Sequence, residues 1–171
     1  MEEKKKVVWR FTNGIELNEK EFIRYFEKKV FKTIRRFEML KNHSSNVIEI
    51  ENKNDLNTKV LNHVLSTKFI TKESSKGFFS SLNLTDLTEK IFENILKGKF
   101  KGKTISSLKA PLCFLSDKEI YLYANLKRIE GETKKRNKRI QELFSKFFNK
   151  NPDLEHNIIK AYMQINEKTE Y

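Results

Sequence analysis

Residues 51–56 stand between an apolar strand-like run and an amphipathic helix-like run, which is where an α/β nucleotide enzyme binds phosphate. They read Glu51-Asn52-Lys53-Asn54-Asp55-Leu56, with no glycine and no serine or threonine hydroxyl. Phosphate binding at a helix start needs backbone N–H groups turned towards the anion, and glycine permits that close approach. Here an acid, Glu51, occupies the loop entrance instead. Asp55 and Asp86 are the acidic pair that such a fold would bring to one site, and each lies where a carboxylate can cap a helix N-terminus. Glu51, Asn52, Lys53, Asp55 and Asp86 are therefore the candidate nucleotide-site residues, in a pattern that lacks the phosphate cradle.

The second chemistry is cationic. The 171 residues carry 35 Lys and Arg against 23 Asp and Glu, a net charge of +12. An excess of this size points to a polyanion, nucleic acid above all, because Lys and Arg bind phosphates with release of counterions; Lys-rich solubility is the bland alternative. Lys97, Lys99, Lys101 and Lys103 alternate with Gly98, Phe100 and Gly102, a basic loop suited to phosphate contacts. Arg128, Lys134, Lys135, Arg136, Lys138 and Arg139 form the second cationic set. His43, His63 and His156 lie far apart with no ligand spacing, so no metal site is expected. Cys113 is the single cysteine and reads as a buried small hydrophobe. No Ser/His/Asp or Cys/His arrangement can be assembled.

Elements must position these groups. Val7–Phe11 reads as a short strand or arm before a turn at Thr12-Asn13-Gly14. Asn18 and Glu21 form a capping box opening a helix to about Lys41, with Phe22, Phe26, Val30, Ile34 and Phe37 as its apolar stripe. Asn46–Glu51 reads as a buried strand, followed by the loop and a helix over 55–66. Thr67–Thr71 and Gly77–Leu82 are further strand candidates around a polar turn at 72–76. Thr85 is expected to cap a helix over 86–97, closed by Gly98. Ser116 and Glu119 predict a capped helix to about Ile129, residues 132–150 a basic helix, and Asn151-Pro152 the cap of a last helix to about Ile165. Strands and helices that alternate early and give way to helices predict an α/β fold with a helical C-terminal extension. No apolar run could span a membrane and none resembles a signal region, so a cytoplasmic location is expected.

Four stretches in order resemble the cytoplasmic tRNA 2-thiolation proteins of the PP-loop ATP-pyrophosphatase superfamily. Tyr25–Val30 with Thr33–Arg36 is similar to the helix before the family's ATP loop. The strand, loop and helix at 47–65 fall where the family has Ser-Gly-Gly-x-Asp-Ser. Asn83–Asp86 through Asn94–Gly98 resembles its Asn-Leu-Asp-Asp helix and following Leu-x-Gly. Pro111-Leu112, Lys118–Ile120, Leu122–Ala124 and Asn151-Pro152 through Asn157 resemble its C-terminal region. The resemblance implies a shortened Rossmann-like parallel sheet. Within it, 1–17 is an arm or zinc-finger remnant, 18–109 a degenerate PP-loop core and 110–171 the helical region packed with that core.

The departures carry the functional expectation. Glu51, Asn52, Lys53 and Leu56 replace the serine, both glycines and the final serine of the ATP loop, and only Asp55 remains. Thr85 replaces the first aspartate of the third motif, and Asp86 remains. Residues 67–82 are too few for the family's middle section, and its cysteines are missing. The resemblance thus implies a pseudoenzyme: a non-catalytic subunit without cofactor that binds tRNA and an active PP-loop thiolation subunit, as a heterodimer with no membrane association. A general RNA-binding module, a structural dimerisation module, and an enzyme completed by its partner are the alternatives.

Overall fold

The structure, a computed structural model, describes residues 6–99, 103–148 and 150–167. Strands β1 (Val7–Arg10) and β2 (Glu16–Asn18) form an antiparallel hairpin whose turn passes through Gly14 at φ +83°. Trp9 lays the hairpin on helix α1 (Glu19–Arg36), with its ring 5.4 Å from that of Phe22. The predicted box opens α1: Asn18 Oδ1 accepts from the Glu21 N–H at 3.2 Å, and Glu21 returns the bond at 3.0 Å. Phe22, Phe26, Val30 and Ile34 are buried as the 3.6-residue period requires. The helix stops at Arg36 rather than Lys41. Glu38 turns to φ +46°, and the Met39 N–H reaches back to the Ile34 carbonyl at 3.0 Å.

Strand β3 (Val47–Glu51), helix α2 (Leu56–Ser66) and strand β4 (Ile70–Ser74) form a βαβ unit, with β3 and β4 parallel from Val47↔Ile70 to Glu51↔Ser74. The expected strand at 67–71 begins later. Residues 67–69 finish the turn of α2, with the Lys68 and Phe69 N–H groups both on the Leu65 carbonyl, and the polar stretch 72–74 is strand instead of turn. The expected strand at 77–82 reduces to one parallel bridge, Ile50↔Phe79, which places β3 in the middle of the small sheet. Gly77 runs so close to the backbone of Ile50 and Glu51 that no side chain would fit there.

Helix α3 (Leu84–Leu96) is capped by Asn83, not Thr85, because Asp86 rather than a later residue completes the reciprocal box. A short helix α4 (Ile105–Leu108) precedes α5 (Asp117–Lys127), which opens on the predicted Ser116/Glu119 box. Helices α6 (Lys138–Phe148) and α7 (Leu154–Glu167) finish the described chain. Pro152 lies two residues ahead of α7 rather than in its first turn. The main core joins α1, α2, α5 and the sheet, with Tyr123 of α5 stacked on Phe26 at 4.1 Å. A second cluster ties α7 to α3 through Leu84, Leu87, Ile159 and Met163. The expected α/β fold with a short parallel sheet and a helical extension is thus present. Among the described residues no helix is long and apolar enough to cross a membrane.

Candidate functional site

The loop 52–55 delivers the chain to the N-terminus of α2, where the Leu56 and Thr58 N–H groups already have partners within the chain. Asp55 is the N-cap, and its Oδ1 accepts from the Thr58 N–H at 2.8 Å and from the Thr58 hydroxyl at 2.9 Å. The Leu56 N–H, which would face a bound phosphate, donates to the carbonyl of Glu132 at 2.8 Å. Gly131 presses on the same turn, where an added Cβ would stand 2.9 Å from Leu56 Cα. Asn54 takes φ +51°, with its N–H held by Asn52 Oδ1 at 2.8 Å, and Lys53 pairs with Glu51 at 3.0 Å. The anion-binding end of the helix is closed by the chain's own backbone.

Beside it, Asp86 and Asp55 meet two cations that arrive from the segment 130–137. Lys134 Nζ is 2.5 Å from Asp86 Oδ2 and 3.4 Å from Asp55 Oδ2. The Asp55 oxygen is buried and makes no hydrogen bond, so its compensation is the nearby charge. Arg136 donates to Asp86 Oδ1 at 2.5 Å and forks onto Asp117 through Nε at 2.9 Å and Nη2 at 2.5 Å. Glu89 lies 3.4 Å from the same guanidinium. Asn57 Nδ2 and the Asn83 N–H complete the bonding of Asp86 at 3.3 and 3.1 Å. Burial alone would raise the Asp86 carboxyl, but Lys134 and then Arg136 outweigh it and hold it below the usual carboxylate range. Burial would lower Arg136, and its bonds to Asp117 and Asp86 reverse that. Burial raises Glu89 against the pull of Arg136. Lys90, on the rim, is lowered by burial and by the neighbouring Lys53.

The structure joins Asp55 and Asp86 through Lys134, and pairs Lys53 with Glu51 in the adjoining loop. It corrects the reading of Lys134 and Arg136 as outward phosphate contacts, because both point inward and are spent on carboxylates. Residues 132–137 form no helix, and Lys134 and Arg136 turn to the carboxylates while Lys135 is exposed. Helix α6 starts only after Asn137, whose side chain accepts from the Arg139 N–H at 3.1 Å and whose carbonyl takes the Gln141 N–H at 3.0 Å. Lys97, Lys99, Lys103, Arg128, Lys135, Lys138 and Arg139 are exposed, and Lys101 lies outside the described residues. Sequence reasoning did not single out Asn57, Thr58, Ser81, Asp117 or Glu132. The available signal was the i, i+2 placement of Lys134 and Arg136 after a glycine.

With this geometry in hand, comparison with other proteins bears on the fold. No protein-family model matches the chain, and no curated protein does. Among solved structures it is similar to the U34-tRNA thiolase NcsA from Methanococcus maripaludis with its 4Fe-4S cluster. The TM-score is 0.73, with 96% of this chain and 85% of that one covered and 14% of residues identical. The chain shares the overall fold of that structure. At that identity the likeness concerns architecture, and the side chains must be judged on their own. A 4Fe–4S cluster is held by cysteine thiolates, whereas this chain has one cysteine, Cys113. That residue is fully buried, and burial pushes its thiol up to about 12. The residues present do not fit such a cluster. Nor do they fit a nucleotide's phosphates, since the Leu56 N–H and the carboxylates of Asp55 and Asp86 are engaged within the chain.

Proposed function

We propose that this chain acts in tRNA wobble-uridine 2-thiolation as a non-catalytic subunit, binding tRNA and seating on a catalytically active PP-loop partner as a cytoplasmic heterodimer. The observation that carries the reading is the internal closure of the nucleotide-type pit. The Glu132 carbonyl lies on the Leu56 N–H, and Lys134 and Arg136 lie on Asp86. The thiolase fold and the absence of a second cysteine support a role that keeps surfaces and delegates chemistry. The tRNA face is built from the exposed Arg128, Lys135, Lys138 and Arg139. Phosphate contacts of this kind make log affinity fall steeply with log salt.

Two measurements test the reading. The purified chain should show no saturable binding of MgATP up to about 1 mM, the top of the usual substrate range. Native co-purification from its own cells, with mass spectrometry of protein and RNA, should recover tRNA together with a PP-loop protein bearing the cysteines this chain lacks. A free monomer without RNA, or tight and stoichiometric MgATP binding, would overturn the proposal.

A further inference from the structure

Helices α3 and α7 leave a groove between them, lined by residues other than those around Asp55 and Asp86. Its walls are Ile91 and Ile95 of α3 and Ala161, Tyr162 and Ile165 of α7, with Lys99 at its mouth. The cavity is about 150 Å³, and an apolar hollow of about that volume takes one benzene-sized group. Ile95 and Ile165 in its walls are 43% and 56% exposed, and Leu96, next to Ile95 in the chain, is 61% exposed. The charged side chain of its lining is that of Lys99. Lys97 and Lys99 follow the end of α3, and Lys103 is brought to α7 by the Tyr162 hydroxyl, which donates to its carbonyl at 3.1 Å. No acidic residue lines the groove among the described residues.

We infer that this groove docks an acidic amphipathic helix of a protein partner, which inserts one Leu- or Phe-sized anchor between α3 and α7 while its carboxylates meet Lys97, Lys99 and Lys103. Helix-in-groove recognition works by such anchors at i, i+3 and i+4 spacing, and the cationic rim supplies steering and sign specificity. The lining argues against RNA as the occupant. Bases need aromatic or guanidinium planes to stack on, and apart from Tyr162 the apolar lining is aliphatic. The inference names the docking face that the proposed function requires, and rests on that reading only for the partner's identity.

The test uses the whole chain and fluorescence anisotropy. The probe is a synthetic helix with a leucine stripe and a glutamate face, set beside the same helix with lysine in place of glutamate and beside tRNA. The acidic helix should bind saturably and the basic one at least about tenfold more weakly, as like charges at a rim dictate. Ala161→Trp, at an exposed position, should fill the hollow and weaken the acidic helix about tenfold, the loss of one anchor, with melting temperature and tRNA affinity unchanged. Ile95→Glu is the second variant should Ala161→Trp fail to fold, with the same loss expected. Equal binding of the two helices, or full binding by both groove variants, overturns the inference. So does a loss that falls on tRNA instead of the helix. Acidic-helix binding without tRNA binding supports the groove and counts against the tRNA reading alone.

Discussion

Replacing Arg136 with methionine removes one guanidinium and leaves three carboxylates to find new partners. Asp117 loses a two-bond fork, Asp86 loses one of its two cations, and Glu89 loses the charge that opposes its burial. Taking one partner from a buried pair costs about 3–5 kcal/mol. Two features place this case at the low end. Asp117 keeps a side chain one-fifth exposed and can recover water, and Asp86 retains Lys134. About 3 kcal/mol, at about 2–4 °C per kcal/mol for a chain of this size, predicts a fall in Tm of about 6–12 °C. Because the guanidinium side chain is only 10% exposed, the fall should persist in about 1 M salt, where an exposed pair would be screened away. Thermal melts of wild type, Arg136→Met, Asp86→Asn and the double variant complete the argument, and the double variant should fall short of additivity by about 1–3 kcal/mol. An additive cycle, or a Tm loss below about 2 °C, would refute the view that Arg136 closes the pit.

Three further outcomes follow from the same geometry. Because the folded Asp86 carboxyl is held below its ordinary range, its contribution is complete above the unfolded value of about 4 and is lost as pH falls through the folded value. Urea midpoints at stepped pH should therefore show Asp86→Asn less stable than wild type at pH 7, with the gap closing at acid pH. Gly131→Ala should cost about 1–3 kcal/mol by overpacking against Leu56, and hydrogen exchange should show the Leu56 amide losing protection as the Glu132 carbonyl is pushed off. Cys113, with its thiol raised to about 12 by burial, should resist alkylation in the native chain at mild alkaline pH and react on unfolding in urea; fast native labelling would show that the second core cluster opens.

The parts of the fold legible in the sequence are those specified within a few residues. The boxes Asn18/Glu21 and Ser116/Glu119 are reciprocal i, i+3 contacts, and the stripe Phe22, Phe26, Val30 and Ile34 is a local period. The loop 51–56 could be placed because an apolar strand and an amphipathic helix bracket it. The segment that fills the site could not. Its cations reach across 48 and 50 residues to Asp86, a separation no local pattern reports. Its composition, rich in Lys and Arg, also suits a solvated helix as well as it suits an extended strap. Gly131 is what separates the two readings, since only the contact with Leu56 shows why a side chain is excluded there. The exposed Arg128, Lys135, Lys138 and Arg139, by contrast, are marked by charge alone, which the sequence shows directly.

The strap over the pit has a consequence for anyone who would engineer nucleotide binding into this chain. Placing glycines and hydroxyls at 51–56 would change only one wall, because the opposite wall would still present the Glu132 carbonyl, Lys134 and Arg136. Clearing that wall first would strand Asp86 without a counter-ion, at about 3–5 kcal/mol, from a total stability of about 5–15 kcal/mol. Each half of the conversion is disfavoured until the other is in place. A vacant loop can be refilled one substitution at a time, whereas a plugged one is a local optimum walled off on both sides.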